Sequence, residues 1–343
     1  MIILGIETSC DETAAAVVEN GTTIVSNIVA SSQQIHQKYG GVVPEVAARE
    51  QATCIIPVIE EALLQAHCKP SELDAIAVTV GPGLIGSLLI GVETAKTLAW
   101  VWHKPLIPVN HLVGHIYANW LQPQGSIIRD VHFPAVCLVV SGGHTDLVLM
   151  RDHGQFQYLG GTRDDAAGEA FDKIARLLGL GYPGGPAIEK AAATGNPQAI
   201  ALPSPLIHSG DYDFSFSGLK TAVARAVQTP TNNEQSADIA ASFQHVVVNL
   251  LTQKTIAAAK EYQAQAILVG GGVAANQELR KQLMTHGEQL GIPVLFPAFE
   301  FATDNAACIA AAAYFCGKPT PWPQAQADVS FSLENITGVR YNE

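Results

Sequence analysis

Charged residues are scarce in this sequence. They make up 15% of 343 positions, and 19 Lys and Arg stand against 31 Asp and Glu, a net charge of −12. Basic residues are thinly spread, with no run of them. Neutralising several phosphates takes clustered Lys and Arg, so this balance excludes broad nucleic-acid binding by bulk electrostatics. A nucleic-acid substrate would need a local basic patch or a partner protein. Long apolar runs are also missing. The nearest, Gly86 to Trp102, is broken by Glu93 and Lys96, which argues against a transmembrane helix and a membrane role. The N-terminus, Met1-Ile2-Ile3-Leu4-Gly5, has no basic segment before its apolar residues, so no signal peptide is expected. None of the six cysteines (Cys10, Cys54, Cys68, Cys137, Cys308, Cys316) forms a CxxC pair. That excludes a zinc ribbon and points to a reducing, cytoplasmic setting. Low-complexity tracts and long linkers are absent.

What is present is apolar and periodic. Hydrophobic residues reach 48%, enough for a large core, and the length suggests two domains. Ile2 to Glu7, Ala14 to Val18 and Thr22 to Val29 read as strands, with Asn20-Gly21 as a tight turn. A glycine-broken loop from His36 to Glu45 precedes a helix from about Val46 to Ala66. A buried strand, Asp74 to Val80, ends in Gly81-Pro82-Gly83 and leads into a long apolar helix, Leu84 to Trp102. The strand Pro105 to Val109 follows. The second half repeats this order: strands at 135–140, 145–150 and 155–159, helical sequence, a strand at 266–269 ending in Gly270-Gly271-Gly272, a helix at 279–290, a strand at 293–296 and an Ala-rich helix at 305–315. Each half reads βββ-α-β-α-β-α, an internal duplication. A helical insert from about 166 to 262 has no counterpart in the first half. Residues 122–132, polar and broken by Pro123 and Gly125, are the expected boundary. We therefore expect domains at 1–125 and 126–343, with the Pro-containing tail after Gly317 free to return to the first.

Duplicated α/β domains with paired hairpin turns are the architecture of the actin, sugar-kinase and heat-shock ATPase fold (RNase H-like halves around a nucleotide cleft). In that fold the hairpin turns offer backbone N–H groups to phosphate. Ser141-Gly142-Gly143-His144 suits this, because glycines let the main chain approach oxygens closely. Gly270 to Asn276 ends a strand and opens a helix. Its small residues leave room for a flat base or ribose, while Asn276 fits either a helix cap or a nucleotide contact. Gly179 to Pro186 reads as a rigid, open loop close to Asp172 and Glu189. Each of those acids suits a ribose hydroxyl or an ordinary solvated helix face.

Asn110-His111-Leu112-Val113-Gly114-His115 opens a helix with two histidines four apart, hence on one face and within reach of one cation. Taken alone, the spacing fits two surface histidines as well. Metalloproteases with this spacing carry a Glu beside the first His as general base; Leu112 stands there instead. Asp304, just before the last helix, fits an N-cap or a third ligand. As a ligand it completes a two-His, one-carboxylate site suited to Fe(II) or Zn(II). If the halves face each other, such a metal would bridge the domains. Asp11-Glu12, in the first hairpin turn, fit a general base or plain turn chemistry.

Together these residues resemble the TsaD family over nearly the whole chain. The resemblance rests on Gly5 to Thr13, His36 to Arg49, Gly81-Pro82-Gly83, Asn110 to His115, Ser141 to Thr145, Phe171-Asp172-Lys173, Gly184-Gly185, Ser215 to Lys220, Gly270 to Asn276 and Thr303-Asp304-Asn305. One departure is visible: the family usually has His two residues after the Arg of the Pro-Glu segment, where this chain has Gln51. The resemblance implies transfer of a threonylcarbamoyl group from threonylcarbamoyl-AMP to N6 of the adenosine just 3′ of the tRNA anticodon (position 37), in tRNAs reading codons that begin with A. It implies that His111, His115 and Asp304 hold one iron or zinc ion. It also implies that Val139, Val140, Ser141, Gly142, Gly143, Asp172, Gly185, Glu189 and Asn276 hold the adenylate, with ATP-type nucleotides as possible occupants of the same cleft. Among partners it implies a TsaB-like paralogue and a TsaE-like ATPase, with adenylate made by a TsaC-type synthase. The apolar helix from Leu84 to Trp102 and its neighbours fit either a dock for the paralogue or plain core. Two other readings of the residues are a metal-dependent peptidase and a nucleotide-binding switch subunit without chemistry of its own. Leu112 speaks against the first, and a full metal triad against the second.

Overall fold

The computed structural model describes residues 1–123, 131–227 and 233–337. In the first part of the chain, β1 (Ile2–Glu7), β2 (Glu12–Glu19) and β3 (Thr23–Ser31) precede α1 (Gln33–Gln37) and α2 (Pro44–Gln65). Then come β4 (Ala75–Gly81), α3 (Ile85–Trp102), β5 (Leu106–Asn110), α4 (His111–Tyr117) and β6 (Gln122–Pro123). The second part begins with β7 (Ala135–Val140), β8 (Thr145–Asp152) and β9 (Gln155–Gly161). It continues through α5 (Ala167–Leu177), α6 (Gly184–Ala192), α7 (Ser217–Ala226), α8 (Asn233–Glu261), β10 (Ala266–Gly270), α9 (Gln277–Leu290) and β11 (Val294–Leu295). The chain closes with α10 (Phe299–Ala302), α11 (Ala306–Cys316) and α12 (Leu333–Thr337).

The strands form two sheets of matching order, β5-β4-β1-β2-β3-β6 and β11-β10-β7-β8-β9. In each, the first strand pairs antiparallel with the second and parallel with the fourth. The duplication read from the sequence is thus a duplication of topology. Local chemistry explains the elements. Asn20 and Gly21 take left-handed φ of 52° and 70°, the backbone that a tight hairpin needs. The central strands β4 and β7 are buried at every position, so they read as continuous apolar runs rather than alternating ones.

By compactness the described residues fall into two units: 1–123, 152–156 and 297–337 in one, 131–151, 157–227 and 233–296 in the other. The grouping departs from the two halves of the repeat, because α11 belongs with the first sheet. Every residue from Ala306 to Ala313 is buried, and α11 packs on β1, β2 and β4. Small side chains permit that approach. A Cβ on Gly5 would run into the Ala306 carbonyl oxygen and the Ala310 side chain, so β1 needs glycine there. The core of this unit gathers Leu4, Ile6, Val17, Ile59, Ile76 and Val92. The core of the other gathers Leu138, Phe171, Phe243, Leu251 and Val269, with Phe171 and Phe243 edge to face at 5.1 Å.

Several expectations shift. The stretch 179–186, read as a loop, is partly helical, since α6 starts at Gly184. Three small or rigid residues hide that start, and the cap comes from a distant side chain. In the expected boundary region, Gln122 and Pro123 pair with β3, while 124–130 lie outside the described residues. Among the described residues no helix is long and apolar enough to cross a membrane, and the six cysteines are unpaired.

Candidate metal centre and nucleotide cradle

The end of β5 runs straight into α4. Asn110 caps that helix: its Oδ1 accepts from the backbone N–H of Leu112 at 2.8 Å and of Val113 at 3.2 Å. Its amide nitrogen donates to the Phe331 carbonyl, tying the cap to the tail. One helical turn then puts His111 and His115 side by side, with ring centroids 4.6 Å apart and ring planes at 72°. Asp304 Oδ1 lies 3.3 Å from His115 Nε2 and 3.7 Å from His111 Nε2. Asn305, not Asp304, caps α11, accepting from the Cys308 N–H at 3.1 Å. All three groups belong to one compact unit, which corrects the expectation of a metal bridging two domains. The reason is the return of the chain after residue 297.

The chemistry of this cluster fits a divalent cation. One ligand atom from each of the three residues lies within 4.8 Å of the others. His115 is fully buried, yet neither ring nitrogen has a hydrogen-bond partner among the described residues. The contact of Nε2 with Asp304 is close but out of line for a hydrogen bond. A buried imidazole without partners is costly, and a metal would satisfy it. His111 is held from behind. Its Nδ1 lies 3.1 Å from Glu7 Oε2 and 3.2 Å from Ser9 Oγ. Donation of Nδ1–H to the carboxylate leaves Nε2 as the ring atom that faces Asp304, the usual outer support of a metal-ligating histidine. Glu7 in turn accepts from the Ser9 N–H and the Thr79 hydroxyl, each at 2.5 Å. Burial opposes a charge on Glu7, but His111 and, less strongly, the Thr79 hydroxyl hold its carboxyl below the ordinary range. Burial likewise lowers His111, but Glu7 and Asp304 outweigh it and raise the imidazole to about 9. Glu7, Ser9 and Thr79 were missed from sequence. The available signal was an acid closing the otherwise apolar strand Ile2–Glu7.

Asp11 and Glu12 stand at the turn between β1 and β2. Burial, then the charges of Asp304 and Asp11, push Glu12 up to about 10.

The other expected residues form a chain of contacts in the second unit. Val139 and Val140 end β7 in full burial, and the Ser141 N–H closes the turn on the His144 carbonyl at 2.9 Å. The Gly168 N–H, in the first turn of α5, donates to the Ser141 carbonyl at 3.1 Å. Asp172 on α5 accepts from the Gly184 N–H at 2.7 Å, so it supplies the missing cap of α6. Glu189 on α6 accepts from the Gln277 N–H at 2.7 Å, at the start of α9. Asn276 caps α9 through the Leu279 N–H at 3.0 Å and donates to Gln244 Oε1 at 3.0 Å. Gly142, Gly143, Gly185 and Gly272 share a feature: a Cβ on any of them would meet nothing within 4 Å. None of the four has a positive φ, so neither backbone strain nor packing demands glycine there.

Strand order and crossovers place the chain in the actin, sugar-kinase and heat-shock ATPase class of fold. Component A of (R)-2-hydroxyglutaryl-CoA dehydratase from Acidaminococcus fermentans is similar to it with a TM-score of 0.53, at 17% identity over 92% of this chain and 98% of that one. HypF from T. kodakarensis gives 0.58, at 16% identity over 91% of this chain and 46% of that one. At such identities the likeness is one of fold. Within that class the chain belongs to the TsaD family, described as tRNA N6-adenosine threonylcarbamoyltransferase, whose family model matches residues 23–311. The enzyme of that name from Thermomicrobium roseum is 53% identical over 98% of each chain, and the one from Moorella thermoacetica is 54% identical over 91% of each.

Proposed function

We propose that this chain transfers the threonylcarbamoyl group of threonylcarbamoyl-AMP to N6 of adenosine 37 in tRNAs that read codons beginning with A. Membership of the TsaD family supports the reaction, and the buried His115, whose ring nitrogens have no hydrogen-bond partner among the described residues, beside His111 and Asp304, carries the reading of a metal-assisted site. The exocyclic amine of adenine is a weak nucleophile, so the carbonyl needs a good leaving group, and AMP is one. A divalent ion held by His111, His115 and Asp304, Fe2+ before Zn2+, would supply Lewis acidity toward a carbonyl or phosphate oxygen. Val139 to Gly143, Asp172, Gly185, Glu189 and Asn276 would hold the adenylate, with the four open glycines leaving room for it. The same cradle would take ATP-type nucleotides. A carboxylate of the first turn, Asp11 or Glu12, would take the amine proton.

Partners are part of the reading. α2 and α3 flank an open groove lined by Ile55, Ile56, Leu89, Ile90 and Leu98, and Ile56 and Leu89 are exposed. An apolar face of that kind suits a TsaB-like paralogue. A TsaE-like ATPase and a TsaC-type synthase complete the system. The test is a transfer assay with pre-formed adenylate, tRNA and these partners, beside a glycoprotein cleavage assay. We expect modified nucleoside and intact glycoprotein. Proteolysis that is lost in His111→Ala, with tRNA untouched, would reverse the assignment.

A further inference from the structure

Gln51 lies on α2, fully inside the protein, at 1% exposure. Its amide points at the turn that carries Ser9, Asp11 and Glu12. Nε2 donates to the carbonyls of Cys10 and Glu12, each at 3.0 Å, and the Thr8 carbonyl stands at 3.5 Å on the rim. An amide nitrogen has two hydrogens, and the two short contacts use both. Gln51 Oε1 is buried without a hydrogen-bond partner among the described residues. Turning the amide over would set that oxygen against two carbonyl oxygens, so its orientation is fixed by the turn. The side chain is thus retained for its two donors at the cost of a stranded acceptor.

Neighbouring groups grip the same turn. Ser87 of α3 donates its hydroxyl to the Cys10 carbonyl at 3.0 Å, and the Leu84 N–H donates to the Ser9 carbonyl at 2.8 Å. The carbonyls of residues 9, 10 and 12 are therefore held by α2 and by α3 with the residue before it. Ser9 Oγ lies against His111 Nδ1. We propose that Gln51 is a positioning residue: its amide fixes the Thr8–Glu12 turn and so aims Asp11 and Glu12 at the reaction. The inference rests on the function proposed above for its catalytic readout only.

The test compares wild type, Gln51→Leu and Gln51→Glu in full-length protein. Hydrogen exchange read by mass spectrometry should rise in peptides covering residues 8–12 and stay unchanged in peptides covering β7 and α8. In the transfer assay with partners, kcat should fall by about tenfold or more in both variants at pH 8, with KM for the adenylate within about twofold of wild type. A carboxyl buried against carbonyl oxygens stays protonated and offers one donor where the amide offers two, so the kcat of Gln51→Glu should lie above that of Gln51→Leu. Unchanged exchange at the turn, exchange that rises uniformly along the chain, or wild-type kcat in both variants would each overturn the role. Wild-type protein that transfers nothing would overturn the proposed activity instead, while the exchange pattern would still decide the role of Gln51.

Discussion

At the scale of single residues, the coupling of His111 to Glu7 sets how the centre takes up metal. The imidazole is held to about 9, so at neutral pH a metal must displace its proton. Affinity for Zn2+ should therefore rise by about tenfold per pH unit between roughly 7 and 9 and then level off. Competition with a chelator across that range measures it, and Glu7→Gln should move the rise to lower pH. His111→Ala and His115→Ala should each reduce bound metal, and full occupancy in the double variant would refute the triad. A second pH effect belongs to Asp164. It accepts from the Ser215 and Ser217 hydroxyls at 2.5 and 2.7 Å and from the Phe216 and Ser217 N–H groups at 2.8 and 3.2 Å. Burial works against ionisation, but these donors outweigh it and hold the carboxyl below its ordinary value. A depressed pKa means that the stabilisation is present above the unfolded-state value and is lost as pH falls through the folded one. Asp164→Asn should cost about 1 kcal/mol at neutral pH, the usual worth of a helix cap, and progressively less in acid. Urea denaturation at several pH values reads both. Asn276→Ala and Asp172→Ala should each weaken adenylate binding by about 1–3 kcal/mol by calorimetry.

At the scale of elements, α11 joins fold to site. It sits on β1 through the bare face of Gly5, and Asp304 stands just before it. Gly5→Val would force the two apart. Overpacking of this kind costs about 1–3 kcal/mol, and the displacement of α11 should carry Asp304 away from His115. We expect a lower urea midpoint together with weaker Zn2+ binding. A variant that loses stability but keeps wild-type metal affinity would show that α11 does not place the carboxylate. The cap of α6 illustrates the same dependence of an element on distant contacts. Pro183 precedes the helix and offers no side-chain cap, and Asp172 reaches over from α5 to supply one.

At the scale of the whole molecule, charge decides the economy of tRNA recognition. With 31 acidic against 19 basic residues, the chain should bind tRNA poorly by itself at physiological salt. Transfer should need partner subunits, and full turnover by the isolated chain would refute that dependence. Ile56 and Leu89 are 47% and 44% exposed beside the α2–α3 groove. Replacing both with Glu should abolish association with the paralogue while leaving thermal stability near wild type. Size-exclusion chromatography of the mixed proteins checks the first outcome and thermal denaturation the second.

The sequence by itself determined whatever depends on near neighbours. Helix geometry puts residues four apart on one face, so His111 and His115 were legible as a pair. The Asn20-Gly21 hairpin, the apolar central strands and the repeated element order were legible for the same reason, and a repeated order gives a repeated topology. Only the tertiary structure decided which distant groups meet. Glu7 and His111 are separated by 104 positions, and Gln51 and Cys10 by 41; no periodicity reports such meetings. Asp304 fitted a cap or a ligand, and Asn305 proved to be the cap. Asp172 and Glu189 fitted ribose contacts or solvated helix acids, and in the structure they accept from backbone N–H groups at the N-termini of α6 and α9. In each case a side chain's role follows from the backbone donors or ring nitrogens that packing brings to it, and packing is settled by the burial of whole faces rather than by any short stretch of chain.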